Sequence, residues 1–220
     1  MTKKKLLSLI LSCSLAFNIV FTLVKTSAMN LDQNYNNDLQ YMMNDLNQEI
    51  YIPDNNLRKV LNIKYLHQAE DSPITKKQLQ GLKGTLFLGN SNISNLTGLE
   101  YCKGISGLYL SYNHIEDLTP IKNLKKLTRL NITNQEINKE SVYATNGMAK
   151  VYNNITDISG KKVIPSRSNN YTYDSNDNTV VFENIYESGN NSYTFNQRIN
   201  YGSGYTTYFS GNVNFNTIIQ

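Results

Sequence analysis

The chain has 220 residues, of which 21 are basic and 17 acidic, with a formal net charge of +4 and no tryptophan. This length fits one ordinary domain or two small ones. The positive charge lies at the N-terminus, since residues 1–28 hold four lysines and no carboxylate, leaving 17 basic and 17 acidic side chains in the rest. That balance excludes a general electrostatic attraction to nucleic acid or to an anionic membrane.

The N-terminus has the pattern of a secretory signal peptide over residues 1–28. Three consecutive lysines precede an apolar run over residues 6–24, and small residues suited to cleavage occupy positions 26–28. We therefore expect a secreted, extracellular protein. The run is longer than is usual for a signal peptide, so the alternative is a protein held at the membrane by an uncleaved signal. A lipoprotein is disfavoured because the residues before Cys13 make a poor lipobox.

Two predicted segments precede the main sequence pattern. Residues 29–49 are rich in Asn, Gln and Asp without apolar periodicity, which predicts a polar linker. Residues 50–84 are predicted to form two short helices that make a helical cap. The first begins near Asp54. The second follows Thr75, which forms a T-x-x-Q capping box with Gln78.

A 22-residue period over residues 85–140 is the strongest signal in the sequence. The apolar positions that repeat at this interval include Leu86, Leu108 and Leu130; Leu88, Leu110 and Ile132; and Ile93, Ile115 and Ile137. The motif Leu-x-Leu-x-x-Asn-x-Ile, complete at residues 108–115, is that of a leucine-rich repeat. It predicts one short parallel strand per copy, with the side chain of Asn113 bonding the turn that follows. Ser91 and Gln135 replace this Asn in the outer copies.

After Lys139 the period ends and apolar residues alternate with polar ones. Tyr193 and Phe195 belong to one such run and residues 209–215 to another, with Gly and Asn turns between runs. This pattern predicts a small β-sandwich over residues 141–220. The exported part keeps Cys102 as its single cysteine, which excludes an internal disulfide, and its position in the period predicts a buried apolar role.

The chain resembles the internalins, surface and secreted proteins of Gram-positive bacteria. Residues 52–57 and 71–75 are similar to the helical cap of that family, residues 115–120 to its 22-residue repeat, and residues 160–165, 191–195 and 209–211 to its immunoglobulin-like domain. The resemblance implies an α/β leucine-rich-repeat solenoid of about three repeats with an N-terminal helical cap, followed by an all-β immunoglobulin-like sandwich.

The resemblance also implies a function in cell adhesion or virulence. The concave strand face of internalins binds protein partners, often on host cells, and the immunoglobulin-like domain supports it. No sorting motif follows the sandwich, which is similar to the secreted members of the family. We therefore expect a secreted monomer with a protein partner on a host or bacterial surface. A structural or accessory protein of the cell envelope, without a partner site of its own, is the alternative.

The residues between the inward-pointing leucines are predicted to project onto the concave face. Phe87 and Tyr109 fall on neighbouring strands there, and exposed aromatic residues on a rigid sheet are typical of interface hot spots. We predict a protein-binding site made by Phe87, Tyr109 and Tyr112 and edged by Arg129 and Asn131. In the alternative interpretation, the two rings only stabilise the sheet by cross-strand pairing and Arg129 only solvates it.

The sequence shows no catalytic constellation, so we expect a protein that is not an enzyme and that needs no cofactor. His67 and His114 are its only histidines, and they suggest neither a metal site nor a nucleophile–base pair. Residues 174–178 resemble the start of a calcium loop, but Thr179 stands in place of the required glycine. We predict that this segment is a turn between strands.

Overall fold

The computed structural model describes residues 33–220, and the side chains of residues 36–220. The predicted signal peptide, residues 1–28, lies outside this range. The described residues form two units, one of residues 33–48 with 75–77 and the other of residues 49–74 with 78–220. Within the described range, no helix is long and apolar enough to cross a membrane.

The first unit contains helix α1, Gln33–Asn47, in a segment for which the sequence predicted a polar linker. Leu39, Met42, Met43 and Leu46 have the i, i+3, i+4, i+7 spacing of an amphipathic helix, a short apolar pattern that the linker prediction missed among many polar residues. Lys76 forms an ion pair with Asp45 at 2.6 Å. Surface pairs of this kind contribute little to stability.

The second unit begins with short helical segments. These are α2, Asn55–Val60, and a π-helical segment, Leu61–Leu66, which His67 ends in a left-handed conformation with φ 52°. Helix α3, Lys76–Gly81, begins directly after Thr75, as predicted, and its first two residues are assigned to the first unit. The predicted start of the first helix is also confirmed, since Asp54 is the N-cap of α2 and accepts a hydrogen bond from the backbone N–H of Leu57 at 2.9 Å.

Nine strands follow in the second unit. They are β1, Gly84–Phe87; β2, Ile105–Tyr109; β3, Arg129–Asn138; β4, Val142–Thr145; β5, Met148–Tyr152; β6, Tyr171–Asp174; β7, Thr179–Phe182; β8, Gly189–Tyr201; and β9, Tyr205–Ile219. Short 3-10 helices occupy Leu99–Tyr101 and Thr119–Ile121. The turn between β6 and β7 lies at the predicted position.

The first three strands are parallel and pair at the interval that the period predicted. Leu86 pairs with Leu108, and Leu108 pairs with Leu130. These leucines are buried. Cys102 is free and fully buried, as predicted. The 22-residue spacing is therefore confirmed as the offset between neighbouring strands.

The buried amide of Asn113 satisfies four backbone groups between β1 and β2. Its Oδ1 accepts from the N–H groups of Ser91 and Ile93, and its Nδ2 donates to the carbonyls of Leu88 and Leu110, all at 2.9–3.1 Å. The predicted role of this residue is confirmed. The sequence did not predict that Gln135 repeats it, with Oε1 accepting from Ile115 N–H and Nε2 donating to Leu110 and Thr133 carbonyls.

The predicted fold class, a leucine-rich-repeat solenoid with a helical cap and a following immunoglobulin-like sandwich, is wrong. All nine strands form one mixed sheet in the order β1-β2-β3-β9-β4-β5-β7-β6, with β8 on β9. The physical cause is the length of β3. Its first residues pair with β2, while Ile132 and the residues after it pair in parallel with β9. The helical segments before β1 are short, so the second unit is mostly β.

One apolar core runs through the second unit, from Ile50 to Phe215. Its aromatic part lies among the later strands, where Phe195 and Phe209 meet edge to face with ring centroids 4.9 Å apart. The same core contains the leucines of β1 and β2. Because the core is continuous, it holds the backbone of the first three strands in place.

Candidate protein-binding face

Two cross-strand rows carry four of the five predicted site residues. Phe87, Tyr109 and Asn131 are in register on β1, β2 and β3. Two residues earlier on each strand, Thr85, Gly107 and Arg129 are also in register. Neighbouring strands are ~4.8 Å apart, so side chains in one row are direct neighbours. We call these six residues the aromatic face.

Phe87 and Tyr109 form a stacked pair at the centre of one row. Their ring centroids are 5.1 Å apart and the ring planes are inclined by 24°. Phe87 is 60 % exposed, whereas Tyr109 is half-buried. An exposed stacked pair presents a flat apolar surface that a partner can cover.

The backbone beneath Phe87 is fixed by a contact that the sequence did not predict. Strand β1 is at the edge of the sheet, where backbone groups lack a neighbouring strand. The hydroxyl of Tyr65 accepts a hydrogen bond from Phe87 N–H at 2.5 Å and donates one to the Phe87 carbonyl at 3.3 Å. The Tyr65 hydroxyl thus makes the two backbone hydrogen bonds that a neighbouring strand would make, and it holds Phe87 in position. No sequence motif marks a tyrosine as an edge cap.

The other row holds Arg129 in one orientation. Its Nη2 donates to the hydroxyl of Thr85 at 3.1 Å, two strands away. This reach depends on Gly107 between them, since a Cβ there would lie 2.5 Å from Thr85 Oγ1. Arg129 is the only charged side chain in the aromatic face. It therefore places one cation beside the ring pair.

The two remaining predicted residues, Asn131 and Tyr112, differ in their exposure and in their contacts. Asn131 is half-buried, and its Oδ1 accepts from the hydroxyl of Thr133 at 3.0 Å. Tyr112 is 63 % exposed and has a positive φ of 58°. In the described residues its ring makes no ring contact with Phe87 or Tyr109. The structure therefore brings Phe87, Tyr109 and Asn131 together and places Tyr112 three residues further on, beyond the end of β2.

The described residues contain no group of three or more His, Cys, Asp and Glu side chains placed to hold a metal ion. His114 Nδ1 contacts the carbonyl oxygen of Glu136. Burial raises the pKa of the Cys102 thiol to about 12, with a smaller contribution from Glu100. A thiol with so high a pKa is not a nucleophile at neutral pH.

The chain matches no family model, and no curated protein matches it significantly. Two solved structures from Clostridium perfringens ZmpB resemble it, one of CBM51-2 in complex with GlcNAc and INT domains and one of CBM51-2 and INT domains. Their TM-scores are 0.54 and 0.53, their identities 26 % and 25 %, and they cover 84 % and 88 % of this chain. This chain covers 42 % and 43 % of those chains, which is less than half their length.

A third structure, the functional domain of InlJ from Listeria monocytogenes, covers 60 % of this chain and is itself covered over 29 %, with 19 % identity and a TM-score of 0.49. Internalin structures are thus among the similar ones. Membership of the internalins stays a prediction from the sequence motifs.

Proposed function

We propose that this chain is a secreted binding module that contacts a protein partner, on a host cell or a bacterial surface, through the aromatic face. The observation that carries the proposal is the stacked pair of Phe87 and Tyr109, with Phe87 60 % exposed. Aromatic rings bury a large apolar area and contribute strongly to interface energetics.

Rigidity supports the same proposal. The Tyr65 hydroxyl accepts a hydrogen bond from Phe87 N–H and donates one to the Phe87 carbonyl. The turns after β1 and β2 are bonded by the buried amides of Asn113 and Gln135. A surface that is already ordered loses little conformational entropy when a partner binds. Arg129, held by Thr85, adds a fixed cation that favours a partner with a carboxylate at the edge of the contact.

The comparisons support a binding or accessory role in general terms. One of the two similar Clostridium perfringens structures is of CBM51-2 in complex with GlcNAc and INT domains. This chain covers less than half of either structure, so the ligand of that protein does not identify a ligand here. A host partner rests on the internalin-like motifs of the sequence.

Several further features belong to the proposal. The module acts outside the cell as a monomer after removal of residues 1–28, and it has no enzymatic activity and no nucleic-acid partner. The alternative location is the membrane, through an uncleaved signal. The alternative function is a structural or accessory protein of the cell envelope, in which the ring pair only stabilises β1 against β2.

A measurement of cell-surface binding distinguishes the partner-binding role from the accessory role. We would label the chain and measure by flow cytometry how much is retained on cultured epithelial cells and on the producing bacterium. Phe87→Ser with Tyr109→Ser should reduce retention at least about tenfold, the loss expected for removal of a hot spot. The matched control is Tyr143→Ser with Tyr152→Ser, which removes two rings on β4 and β5 that are 59 % and 55 % exposed.

The control variant should bind as the wild type does. Equal retention of all three proteins on either surface would contradict the proposal and favour the accessory role. Circular dichroism of each variant checks that the fold is kept. We expect it to be, because three of the four substituted rings are exposed and Tyr109 is half-buried.

A further inference from the structure

A second candidate site lies away from the aromatic face, among the later strands. It is a cleft of about 550 Å³ between the start of β6, the end of β7 and the start of β8. This volume is within the range of ~300–1,000 Å³ that is usual for small-molecule sites. We call it the asparagine cleft, because five of its lining residues are Asn169, Asn170, Asn184, Asn190 and Asn191.

The chemistry of the lining is neutral and polar. Ser192 and Thr172 add hydroxyls to the five amides, and Glu183 is the only charged side chain among the twelve lining residues. Most small-molecule sites are lined mainly by apolar groups, so this cleft suits a ligand with many hydrogen-bonding groups and no net charge. An amide offers a donor and an acceptor side by side, which matches a pair of adjacent hydroxyls.

The amides are available to a ligand. Within the described residues, the side chains of Asn169, Asn170, Asn184 and Asn190 are exposed and make no hydrogen bond to the protein, so their amides are open to solvent. Asn191 donates from Nδ2 to Thr217 Oγ1 at 3.0 Å, which leaves its Oδ1 as an acceptor. A ligand that replaces water at several of these amides by its own hydroxyls keeps the hydrogen bonds and releases the water.

Hydrogen bonds and ring packing within the protein hold parts of the cleft walls. Tyr171 supplies an aromatic wall, and its hydroxyl donates to the carbonyl of Ser166 at 2.8 Å. Its ring packs edge to face on Tyr193 with centroids 6.1 Å apart. On the opposite side, Asn184 has a φ of 60° and is followed by Ile185, whose N–H donates to the carbonyl of Gly147 at 2.9 Å. Fixed walls reduce the entropy lost on binding.

We propose that the asparagine cleft binds a neutral glycan of one to three sugar units. Sugar hydroxyls pair with the asparagine amides, and the apolar face of a sugar ring packs against Tyr171. This site is independent of the aromatic face, so the two activities can be tested separately in the same protein.

The test is binding of the labelled full chain to an array of neutral and acidic glycans, followed by titration with the free sugar that gives the strongest signal. Asn169→Ala with Asn190→Ala is the informative variant. Both side chains are exposed and neither bonds to the protein, so the substitution leaves the fold unchanged. Asn123→Ala with Asn200→Ala is the matched control, because it removes two exposed amides that do not line the cleft.

We expect a neutral glycan to bind, and the cleft variant to weaken that binding about tenfold through the loss of two amides that contact the ligand. The control variant and the Phe87→Ser/Tyr109→Ser variant should bind it with unchanged affinity. The proposal is overturned if no neutral glycan on the array binds, if only acidic glycans bind, or if the cleft variant binds as tightly as the control does.

Discussion

The carboxylate of Asp54 accepts a hydrogen bond from the backbone N–H of Ser94 at 2.7 Å, across 40 residues of sequence. The same oxygen, Oδ2, accepts from Asn95 N–H at 3.0 Å, while Oδ1 caps α2 through Leu57 N–H. The buried side chain of Asp54 therefore links α2 to the loop after β1 by hydrogen bonds. Stability of this junction depends on the charge of Asp54.

The free energy of unfolding should change with pH as the carboxylate of Asp54 gains or loses its proton. Burial raises the pKa of Asp54, but the hydrogen bonds from Leu57, Ser94 and Asn95 outweigh it, so the pKa lies below the ordinary value. A lowered pKa means that the ionised form stabilises the fold above the unfolded pKa, and that this contribution is lost as pH falls through the folded pKa.

Asp54→Asn should therefore be less stable than the wild type at pH 7, by about 1–2 kcal/mol. The difference should shrink as pH falls below about 4. Urea unfolding of both proteins at a series of pH values measures it. A difference that stays constant from pH 7 to pH 2.5 would show that the ionised form of Asp54 has no special role.

Loss of the Asn113 amide should be among the most damaging single changes. Asn113→Ala leaves the N–H groups of Ser91 and Ile93 without an acceptor in a buried region. We expect a loss of about 3 kcal/mol in the free energy of unfolding. Asn123→Ala, at an exposed position, should change it by less than about 0.5 kcal/mol. Equal effects of the two substitutions would contradict the role assigned to Asn113.

Gly107 allows Arg129 to reach Thr85, and its replacement should be repaired by a second change. Gly107→Ala places a methyl group 2.5 Å from Thr85 Oγ1 and should cost about 1–3 kcal/mol. Adding Thr85→Ala removes the atoms that clash, so the double variant should recover most of that loss. Thermal unfolding of four proteins, the wild type, Gly107→Ala, Thr85→Ala and the double variant, measures this coupling, and additive losses would contradict the contact.

The turn between β8 and β9 docks on the segment before β3. Ser203 Oγ donates to the Lys125 carbonyl at 3.0 Å, and a Cβ at Gly202 would lie 2.1 Å from the Leu127 carbonyl oxygen. Gly202→Ala should therefore displace the turn and cost about 2 kcal/mol or more.

Gly204 in the same turn is the control for backbone strain. Its φ is also positive, at 107°, but no atom lies within 4 Å of a Cβ there. Chemical denaturation should show a larger loss for Gly202→Ala than for Gly204→Ala. The reverse order would mean that strain in the turn, and not its contact with residues 125–127, determines the stability.

Cys102 should be inert in the folded protein. Burial, the larger cause, and Glu100 raise its pKa to about 12, so almost no thiolate is present at neutral pH. Mass spectrometry of the peptide that contains Cys102, after treatment with iodoacetamide, should find it unmodified in native buffer and modified in urea. Rapid alkylation in native buffer would contradict its burial.

The sequence predicted the pairing of β1, β2 and β3 because a constant interval specifies which residues become neighbours. It also predicted the row of Phe87 and Tyr109, since residues between inward leucines must face the other way. It could not predict that β9 pairs with β3. Alternation shows that a segment is a strand, but it does not identify the strand beside it, and Ile132 and Phe209 are far apart in sequence.

The candidate site was likewise predicted only in part. The hydroxyl of Tyr65 caps the edge strand under Phe87, and nothing in the local pattern around Tyr65 indicates that contact. Tyr112 was predicted to extend the aromatic surface, but its positive φ follows from the turn after β2, which the period alone does not specify. Contacts made by single side chains across the fold depend on tertiary packing.

Photo-crosslinking from position 87 tests the proposed contact most directly. Phe87 is replaced by p-benzoylphenylalanine, and the labelled chain is irradiated on epithelial cells and on the producing bacterium. A light-dependent adduct with one surface protein is expected from position 87 and not from the same residue at position 143, whose tyrosine is 59 % exposed on β4. No adduct from position 87 on either surface, or identical adducts from both positions, would contradict partner binding through this face.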